Sequence, residues 1–491
     1  MLRSLDLAVI IVYLAASALV GLYLSGRQKD LRGYFLGNRD LPWWAVSMSV
    51  VATETSALTV ISVPAVAYLG NLTFLQLALG YFVARVVVAF VLLPKYYAGE
   101  LATAYAFLGE RFGTKMQAAA SVAFLFTRLL ADGVRLFAAA IPMRVILAGF
   151  GFDVSFFWII IALALVTIVY TYVGGIRAVV WVDVLQMALY IGGGLISLTV
   201  IAGQLPEGFW SDAVVAGKTQ LFDFASNPVS TPYAFLTAVA GGALLSMASH
   251  GADQIIVQRL LACRTLRDSQ KALIASGVVV AFQFALFLLV GLALWGYYGG
   301  QPVAELGLAS ADEIFPRFIV EGLPAGLSGL LLAGIMASAM STLSSSLSAL
   351  SSSTMTDLYA RLARRPLSDR EGLRLGRKMT LVWGLAFIVF ANLFSGTDNP
   401  VVELGLSVAG ITYGGLLGAF FLGLFVSRAR QTDAIIGFGV AVTVMAYLFV
   451  FQRGLIGFTW YTAIGVAITM TIGWLLSRRH REFSARSVSV R

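Results

Sequence analysis

One apolar stretch of the chain carries an unusual number of hydroxyl groups. Residues 338–353 read SAMSTLSSSLSALSSS within a segment otherwise rich in Leu, Ala and Met. At 3.6 residues per turn, these hydroxyls form a stripe along one face of a helix. The stripe contains Ser338, Ser341 or Thr342, Ser345, Ser348 and Ser352. Hydroxyl oxygens suit a hard monovalent cation, whereas close helix packing needs only small residues. The pattern favours a cation-facing stripe, and close packing is the alternative.

A carboxylate in another apolar segment could share that cation. Asp183 lies in the segment GGIRAVVWVDVLQ. At the helical rise, Ser341 to Ser345 lie about 26–32 Å inward along their helix, and Asp183 lies about 8 Å from the inner end of its own. The two groups are therefore predicted at similar depth. An unpaired carboxylate there would be costly, and either a bound cation or a partner Arg would remove that cost.

Further charged and polar residues fall within apolar segments. Arg128, Asp132 and Arg135 are spaced i, i+4, i+7 and share one helix face. This spacing favours a structural ion network, and the alternative is that an Arg binds a substrate carboxylate through two parallel hydrogen bonds. His250, in SMASHGADQ, fits no metal-ligand spacing. A helix–helix hydrogen bond and a role at a solute gate are both open for it.

The composition requires a membrane to position these residues. The chain has 491 residues, of which 59% are hydrophobic and 12% charged, and its mean hydropathy is +0.86. Repeated apolar runs of about 20 residues predict an all-α protein that crosses the membrane many times. About thirteen transmembrane helices are predicted, around residues 5–24, 43–69, 73–94, 116–148, 154–173, 178–202, 232–249, 273–298, 324–360, 376–395, 400–426, 434–451 and 456–476.

Basic residues predict the orientation of these spans. Most of the 34 Lys and Arg residues fall in segments that share one side if the N-terminus is outside and the C-terminus cytoplasmic. The net charge of +9 then reflects topology and anionic lipid, not nucleic acid. The single cysteine, Cys263, excludes an internal disulfide. We therefore predict a multi-pass protein of the plasma or inner membrane.

Three predicted spans contain polar or glycine-rich interruptions. They are the second, seventh and eleventh, with the sequences SVVATETSALTVISVP, GGALLSMASHGADQ and LSVAGITYGGLLG. Such helices tend to unwind within the membrane and bind ions or solutes, although Gly and Ser also permit close packing. If spans two to six and seven to eleven are inverted repeats, a weak helix opens each repeat, as in secondary transporters.

This interpretation divides the chain into five parts. No segment between the spans is long enough to bury a core of its own. The predicted parts are an N-terminal extra helix (1–25), a first five-helix repeat (42–202), a second, inverted repeat (232–426), two C-terminal helices (432–478) and a basic cytoplasmic tail (479–491).

Four segments resemble the sodium/solute symporter family, which includes bacterial sugar, proline and sialic acid transporters. They are GYFLGNRDLPWWAVSMSVVATETSAL, GGIRAVVWVDVLQ, GADQIIVQRLLACRTLRDSQKAL and MSTLSSSLSALSSSTMTDLY. The resemblance covers nearly the whole chain. It implies an inverted five-helix-repeat core of the LeuT-like fold, sodium as the coupling ion and a small-molecule solute as the partner.

The resemblance also implies site residues. The main sodium site would use backbone carbonyls of Ala52, Thr55 and Ser338 and the hydroxyls of Ser341 and Thr342. A second sodium position, as in some members, would use Asp183, Ser344 and Ser345. The solute would lie between the broken helices, where the candidates are Ser56, Thr59, Ser246, Ser249, His250 and Ser407.

Two departures from the family pattern bear on the solute. Sugar-binding members usually carry Asn and aromatic residues where this chain has Ser246, Ser249 and His250, which argues against a hexose. The carboxylate-binding Arg of sialic acid members aligns nearer Ala131 than Arg128 or Arg135, so its role is not transferred.

We therefore predict a sodium-coupled symporter of a small polar solute, with a carboxylate-bearing solute suggested by Arg128 and Arg135. A proton-coupled symporter of the same fold, with Asp183 or Glu54 titrating, is the alternative. An intramembrane enzyme is disfavoured because the acidic residues are scattered and form no catalytic cluster. A passive channel would show flux without coupling.

Overall fold

The structure is a computed structural model that describes residues 4–24, 26, 28–149, 151–308, 310–360, 367–393, 401–452 and 456–480. The side chains of residues 401–409 and of several positions at 57–58 and 138–149 lie outside this description. Within the described residues, the regular elements are helices, and a single β-bridge joins Leu41 to Cys263. The predicted all-α architecture is confirmed.

The chain is a succession of helices. In chain order they are α1 Ser4–Leu24, α2 Leu31–Leu36, α3 Trp43–Glu54, α4 Ala57–Leu69, α5 Gln76–Val87, α6 Leu93–Ala98, α7 Ala104–Phe112, α8 Thr114–Gly149, α9 Phe156–Ala202, α10 Phe209–Val215, α11 Gly242–Met247, α12 Gln254–Leu261, α13 Leu266–Tyr297, α14 Ile314–Glu321, α15 Leu327–Ser353, α16 Asp369–Leu393, α17 Val401–Phe425, α18 Gln431–Phe451 and α19 Trp460–Ser477. Single π-helical turns lie at Val88–Leu92, Thr237–Gly241, Ala248–Ala252 and Thr354–Tyr359.

Several helices are long and apolar enough to cross a membrane. Among the described residues seven qualify, and the bent pair Trp43–Glu54 and Thr59–Leu69 would make an eighth. The chain is therefore a multi-pass membrane protein. The prediction of thirteen spans is not confirmed by this count and stays a prediction.

The 47-residue helix α9 corresponds to two predicted spans, 154–173 and 178–202. At 1.5 Å per residue it is about 70 Å long, roughly twice the hydrocarbon thickness. Gly175 divides it, because its backbone leaves the helical region at φ 57° and ψ −147°. A Cβ at this position would lie 2.2 Å from the carbonyl oxygen of Tyr34. The kink therefore requires glycine, and it separates the two predicted spans.

The expectation that the eleventh span unwinds is wrong. α17 is one continuous α-helix from Val401 to Phe425. Its glycines instead allow close contact with α19: a Cβ at Gly414 would lie 2.7 Å from the Cα of Gly465, and one at Gly418 would lie 2.6 Å from the Cβ of Thr469. Close packing, the alternative interpretation, explains this helix.

The serine-rich helix α15 lies at the centre of the protein. From Leu331 to Ser353 every residue is buried, and α9, α1, α8 and α3 pack around it. Its start is fixed by α1, where Asp6 Oδ1 accepts hydrogen bonds from the backbone N–H groups of Gly326 and Gly329, both at 2.8 Å. The hydroxyl stripe therefore faces other helices of the protein and not lipid.

Candidate functional site

The first transmembrane helix of the predicted first repeat is broken. α3 ends at Glu54, Thr55 and Ser56 are extended, and the next helix leaves at an angle of 63°. Thr55 N–H donates to the carbonyl of Val51, and the next backbone bond is donated by Thr59 to the carbonyl of Ser56. Between them, in the part of the chain described, no helical hydrogen bond is recorded to the buried carbonyls of Ala52 and Thr55. Carbonyls freed in this way can bind a cation.

A second break lies in the corresponding helix of the predicted second repeat. The π-helical turn Ala248–Ala252 ends at Asp253, whose backbone is extended at φ −98° and ψ 125°. Asp253 Oδ1 then accepts from Ile255 N–H at 2.9 Å and caps α12. The interruptions predicted in the second and seventh spans are both present.

Asp183 lies in a closed polar cluster beside the first break. Its Oδ2 accepts from Ser49 Oγ at 2.5 Å and from Arg259 Nη2 at 3.2 Å, and its Oδ1 accepts from Ser341 Oγ at 2.7 Å. Ser345 Oγ accepts from Arg259 Nη2 at 2.5 Å and lies 3.0 Å from Thr53 Oγ1. The structure therefore brings together Asp183, Ser341 and Ser345, as predicted.

The partner of Asp183 is Arg259, which lies between the seventh and eighth predicted spans. Arg259 lies on α12 and is fully buried, with its Nε bonded to Ser49 Oγ and its Nη1 to the carbonyl of Ile255. The second break brings α12 into contact with α3, and this contact buries Arg259. The buried cation is stabilised there by the carboxylate and by three further oxygen contacts, from Ser49, Ile255 and Ser345.

The hydroxyls of the other α15 residues in the two predicted sodium sites donate to carbonyls of their own helix. Ser338 Oγ and Ser344 Oγ donate to carbonyls of their own helix, those of Ile335 and Ser341. Thr342 Oγ1 donates to the carbonyl of Ser338 at 3.1 Å. Thr342 also lines a small cavity together with Ser56, the second extended residue of the first break. The cavity joins the break to the serine helix, where the main sodium site is predicted.

Arg128, Asp132 and Arg135 have two distinct environments. The guanidinium of Arg128 contacts Asp253 Oδ2 at 2.5 and 3.0 Å and Tyr413 Oη at 2.6 Å. Asp132 accepts from Ser346 Oγ at 2.6 Å and lies 3.4 Å from Arg128 Nη1. Arg128 therefore belongs to a buried ion network that ties α8 to the second break.

Arg135 faces the small cavity at the first break. Its Nη1 donates to Asp132 Oδ1 at 3.0 Å, whereas its Nε is buried and has no partner among the described residues. Asp132, Arg135, Ser56 and Thr342 all line this cavity. An unpaired guanidinium N–H at a cavity can donate to a solute.

Ser246, Ser249 and His250 form a second polar group with Glu54 and Arg85. Ser249 Oγ lies 2.8 Å and Ser246 Oγ 3.3 Å from His250 Nδ1, and His250 Nε2 lies 3.1 Å from Arg85 Nη2. Arg85 is fully buried and also pairs with Glu54. This group connects the two helix breaks, since Glu54 ends α3 and His250 lies in the π-helical turn.

Of the two remaining predicted solute residues, only Thr59 has a described environment. Thr59 is half-buried on α4, three residues beyond the first break. Ser407 lies on α17, but its side chain is outside the described residues.

Sequence reasoning missed Asp253, Arg259 and Tyr413. Asp253 directly follows the predicted break, and Arg259 lies six residues later. The available signal was Asp253, a residue type that commonly caps the start of a helix and so could begin the second half of a broken one. Tyr413 offered no comparable signal.

Comparisons with known proteins identify relatives of the chain. The chain is 28% identical to the sodium/sialic acid symporter NanT of Aliivibrio fischeri, over 96% of this chain and 92% of that protein. It is also 28% identical to the human sodium-coupled monocarboxylate transporter 1, over 88% of this chain and 71% of that protein.

A solved structure gives the same fold. It shows the substrate-bound, outward-open state of a Na⁺-coupled sialic acid symporter, is 27% identical and superposes with a TM-score of 0.86 over 98% of this chain and 99% of that chain. These relatives are transporters of the LeuT-like fold. The family model of the sodium:solute symporters matches residues 34–441. The chain therefore belongs to the sodium:solute symporter family and is a sodium-coupled solute symporter.

Proposed function

We propose that the protein couples inward movement of sodium to uptake of a small carboxylate-bearing solute by alternating access. The observation that carries this proposal is the unpaired Nε of Arg135 at a cavity shared with Ser56 of the first break and Thr342 of the serine helix. The cavity is only about 10 Å³, so a solute carboxylate would reach Arg135 and gain a charge-assisted hydrogen bond once the first break opens. The named relatives NanT and monocarboxylate transporter 1 take acids, which supports the same solute class.

Sodium coupling would arise at the same place. The main sodium ion would bind between the carbonyls of Ala52, Thr55 and Ser338 and the hydroxyls of Ser341 and Thr342. Its binding would hold the first break against α15 in the outward-open state, in which the solute pocket forms. Inward opening would separate the two helices and release the ion.

The wider organisation follows from this proposal. The two broken helices would open inverted repeats at 42–202 and 232–426, and the helices at 1–25 and 432–478 would flank them. With the N-terminus outside, the basic segments near Arg32 and Arg264 would be cytoplasmic. Of the predicted basic tail, 479–491, residues 481–491 lie outside the described residues.

The function is tested by thermal unfolding of the purified protein. Midpoints are compared in sodium, potassium and choline at fixed ionic strength, with a panel of carboxylic acids, amino acids, vitamins and sugars. We expect a sodium-specific increase that a carboxylic acid enlarges, because ligands that bind only the folded state stabilise it. An increase in the midpoint on lowering the pH, with none on adding sodium, would instead support proton coupling.

Ser341→Ala and Thr342→Ala are expected to weaken sodium dependence more than solute recognition. Each removes one proposed ligand, and a lost polar contact of this kind raises the half-saturating sodium concentration by about fivefold. Uptake is measured against sodium concentration in proteoliposomes. Ser351→Ala is the matched control, since its hydroxyl accepts from Thr380 on another face of the helix. Unchanged sodium curves in both variants would contradict the site.

Arg135→Gln is expected to raise the half-saturating concentration of a carboxylate solute by about 10- to 100-fold, the effect of losing a charge-assisted contact. The amide of the same solute should be affected far less. Competition by acid and amide is measured for the wild type and for Arg135→Lys, which keeps the charge. Equal losses for acid and amide would contradict a carboxylate contact.

A further inference from the structure

The lower half of the hydroxyl stripe leads from the Asp183 cluster to a second cavity. Ser345 contacts Arg259, and Ser348, one turn further, accepts from Gln258 Nε2 at 3.1 Å. Ser352 is one turn beyond Ser348 and lines a cavity of about 240 Å³. The other cavity-lining residues include Arg32, Phe35, Arg39, Glu100 and Thr356. The stripe therefore continues to the end of the bundle where the basic segments lie.

Two oxygen atoms along this route have no partner. Gln258 Oε1 and Ser352 Oγ are buried and lack a hydrogen bond among the described residues. The two side chains are 0% and 1% exposed. The orientation of the Gln258 amide is fixed because its Nε2 donates to the carbonyl of Phe35 at 2.8 Å. Its Oε1 is thus left as a free acceptor.

Buried polar atoms in folded proteins rarely lack a partner, so we expect an occupant at these two. Ser348 lies one helical turn from Ser352, which places the hydroxyls of both on one face, and Gln258 bridges from α12. The groups that would surround the occupant are all uncharged oxygen atoms. A monovalent cation and a water molecule both satisfy that chemistry. We favour the cation because the hydroxyl stripe connects this position to the proposed sodium site.

We propose that Gln258, Ser348 and Ser352 form a transient sodium-binding position between the Asp183 cluster and the cavity at the basic end of the bundle. This inference rests on the proposed sodium coupling. The position would receive the ion after it leaves the first break. The guanidinium of Arg259, one turn above, repels a cation held there, so residence is brief.

Sodium-induced charge movement on solid-supported membranes tests this without any solute. Sodium concentration jumps are applied to proteoliposomes sorted by orientation. Ser352→Ala breaks no recorded hydrogen bond, so folding should be unaffected. We expect it to raise the half-saturating sodium concentration by about fivefold when sodium is applied from the basic end, and to leave the value from the opposite side unchanged.

Ser351→Ala is the control and Ser352→Thr, which restores the hydroxyl, should recover the wild-type value. If Ser352→Ala has the wild-type half-saturating sodium concentration from both sides, the inference is overturned and the proposed function is unaffected. The free oxygens would then be assigned to water. An equal change from both sides would also overturn it. If the wild type shows no sodium-induced charge movement from either side, sodium coupling itself fails.

Discussion

Asp183→Asn is expected to destabilise the protein by about 3–5 kcal/mol, because it leaves the guanidinium of Arg259 buried without its carboxylate. Both side chains are 0% exposed, so solvent cannot replace the lost partner. The thermal unfolding midpoint and the yield of folded protein from membranes measure the loss. A midpoint equal to that of the wild type would show that the pair is not buried as described.

The double variant Asp183→Asn, Arg259→Gln separates stability from ion binding. Removing both charges avoids an uncompensated buried ion, so most of the lost stability should return. If Asp183 also contributes to a second sodium position with Ser344 and Ser345, this stable variant should still show lower sodium cooperativity in uptake. Wild-type cooperativity would assign Asp183 to the ion pair alone.

The second sodium position has a specific difficulty in this structure. Both carboxylate oxygens of Asp183 already accept hydrogen bonds, and Ser345 Oγ accepts from Arg259. Ser344 Oγ is bonded to its own helix backbone. A sodium ion at this position would need Arg259 to move away first. The ion and the guanidinium would therefore compete for the same oxygens, which gives the double variant its diagnostic value.

The parts of the site that depend on local sequence could be predicted. The polar run around Thr55 predicted the first break, and the run around His250 predicted the second. The spacing of serines predicted the buried stripe of α15. In each case the signal lies within about four helical turns of one segment, where period and residue type determine which face is polar.

The parts that depend on packing between distant segments could not. Arg259 stands in a basic run that reads as a loop, and only the turn at Asp253 places it against Asp183, 76 residues earlier. Arg128 meets Asp253 across 125 residues. For the eleventh span, glycine near position 414 was compatible with unwinding and with close packing, and the choice depended on the facing Gly465.

Arg128→Met is expected to abolish transport, because Arg128 fixes the second break to α8. The substitution leaves Asp253 buried without a cation, at a cost of about 3–5 kcal/mol. Asp132 keeps Arg135 as its partner. Uptake and the unfolding midpoint are measured together. Tyr413→Phe is the milder comparison, since it leaves both charges in place and removes only the hydroxyl that accepts from Arg128 and donates to Asp253, at a cost of about 1–3 kcal/mol.

The double variant Arg128→Met, Asp253→Asn shows which property the pair provides. Without either charge the protein should recover most of its stability, since no buried ion is left unpaired. Transport should stay at least tenfold below that of the wild type, because the backbone at the second break is no longer tied to α8 while α15 moves. Recovery of both stability and transport would instead mean that the pair only balances charge, and that the break is positioned by the helix cap at Ile255 and by packing alone.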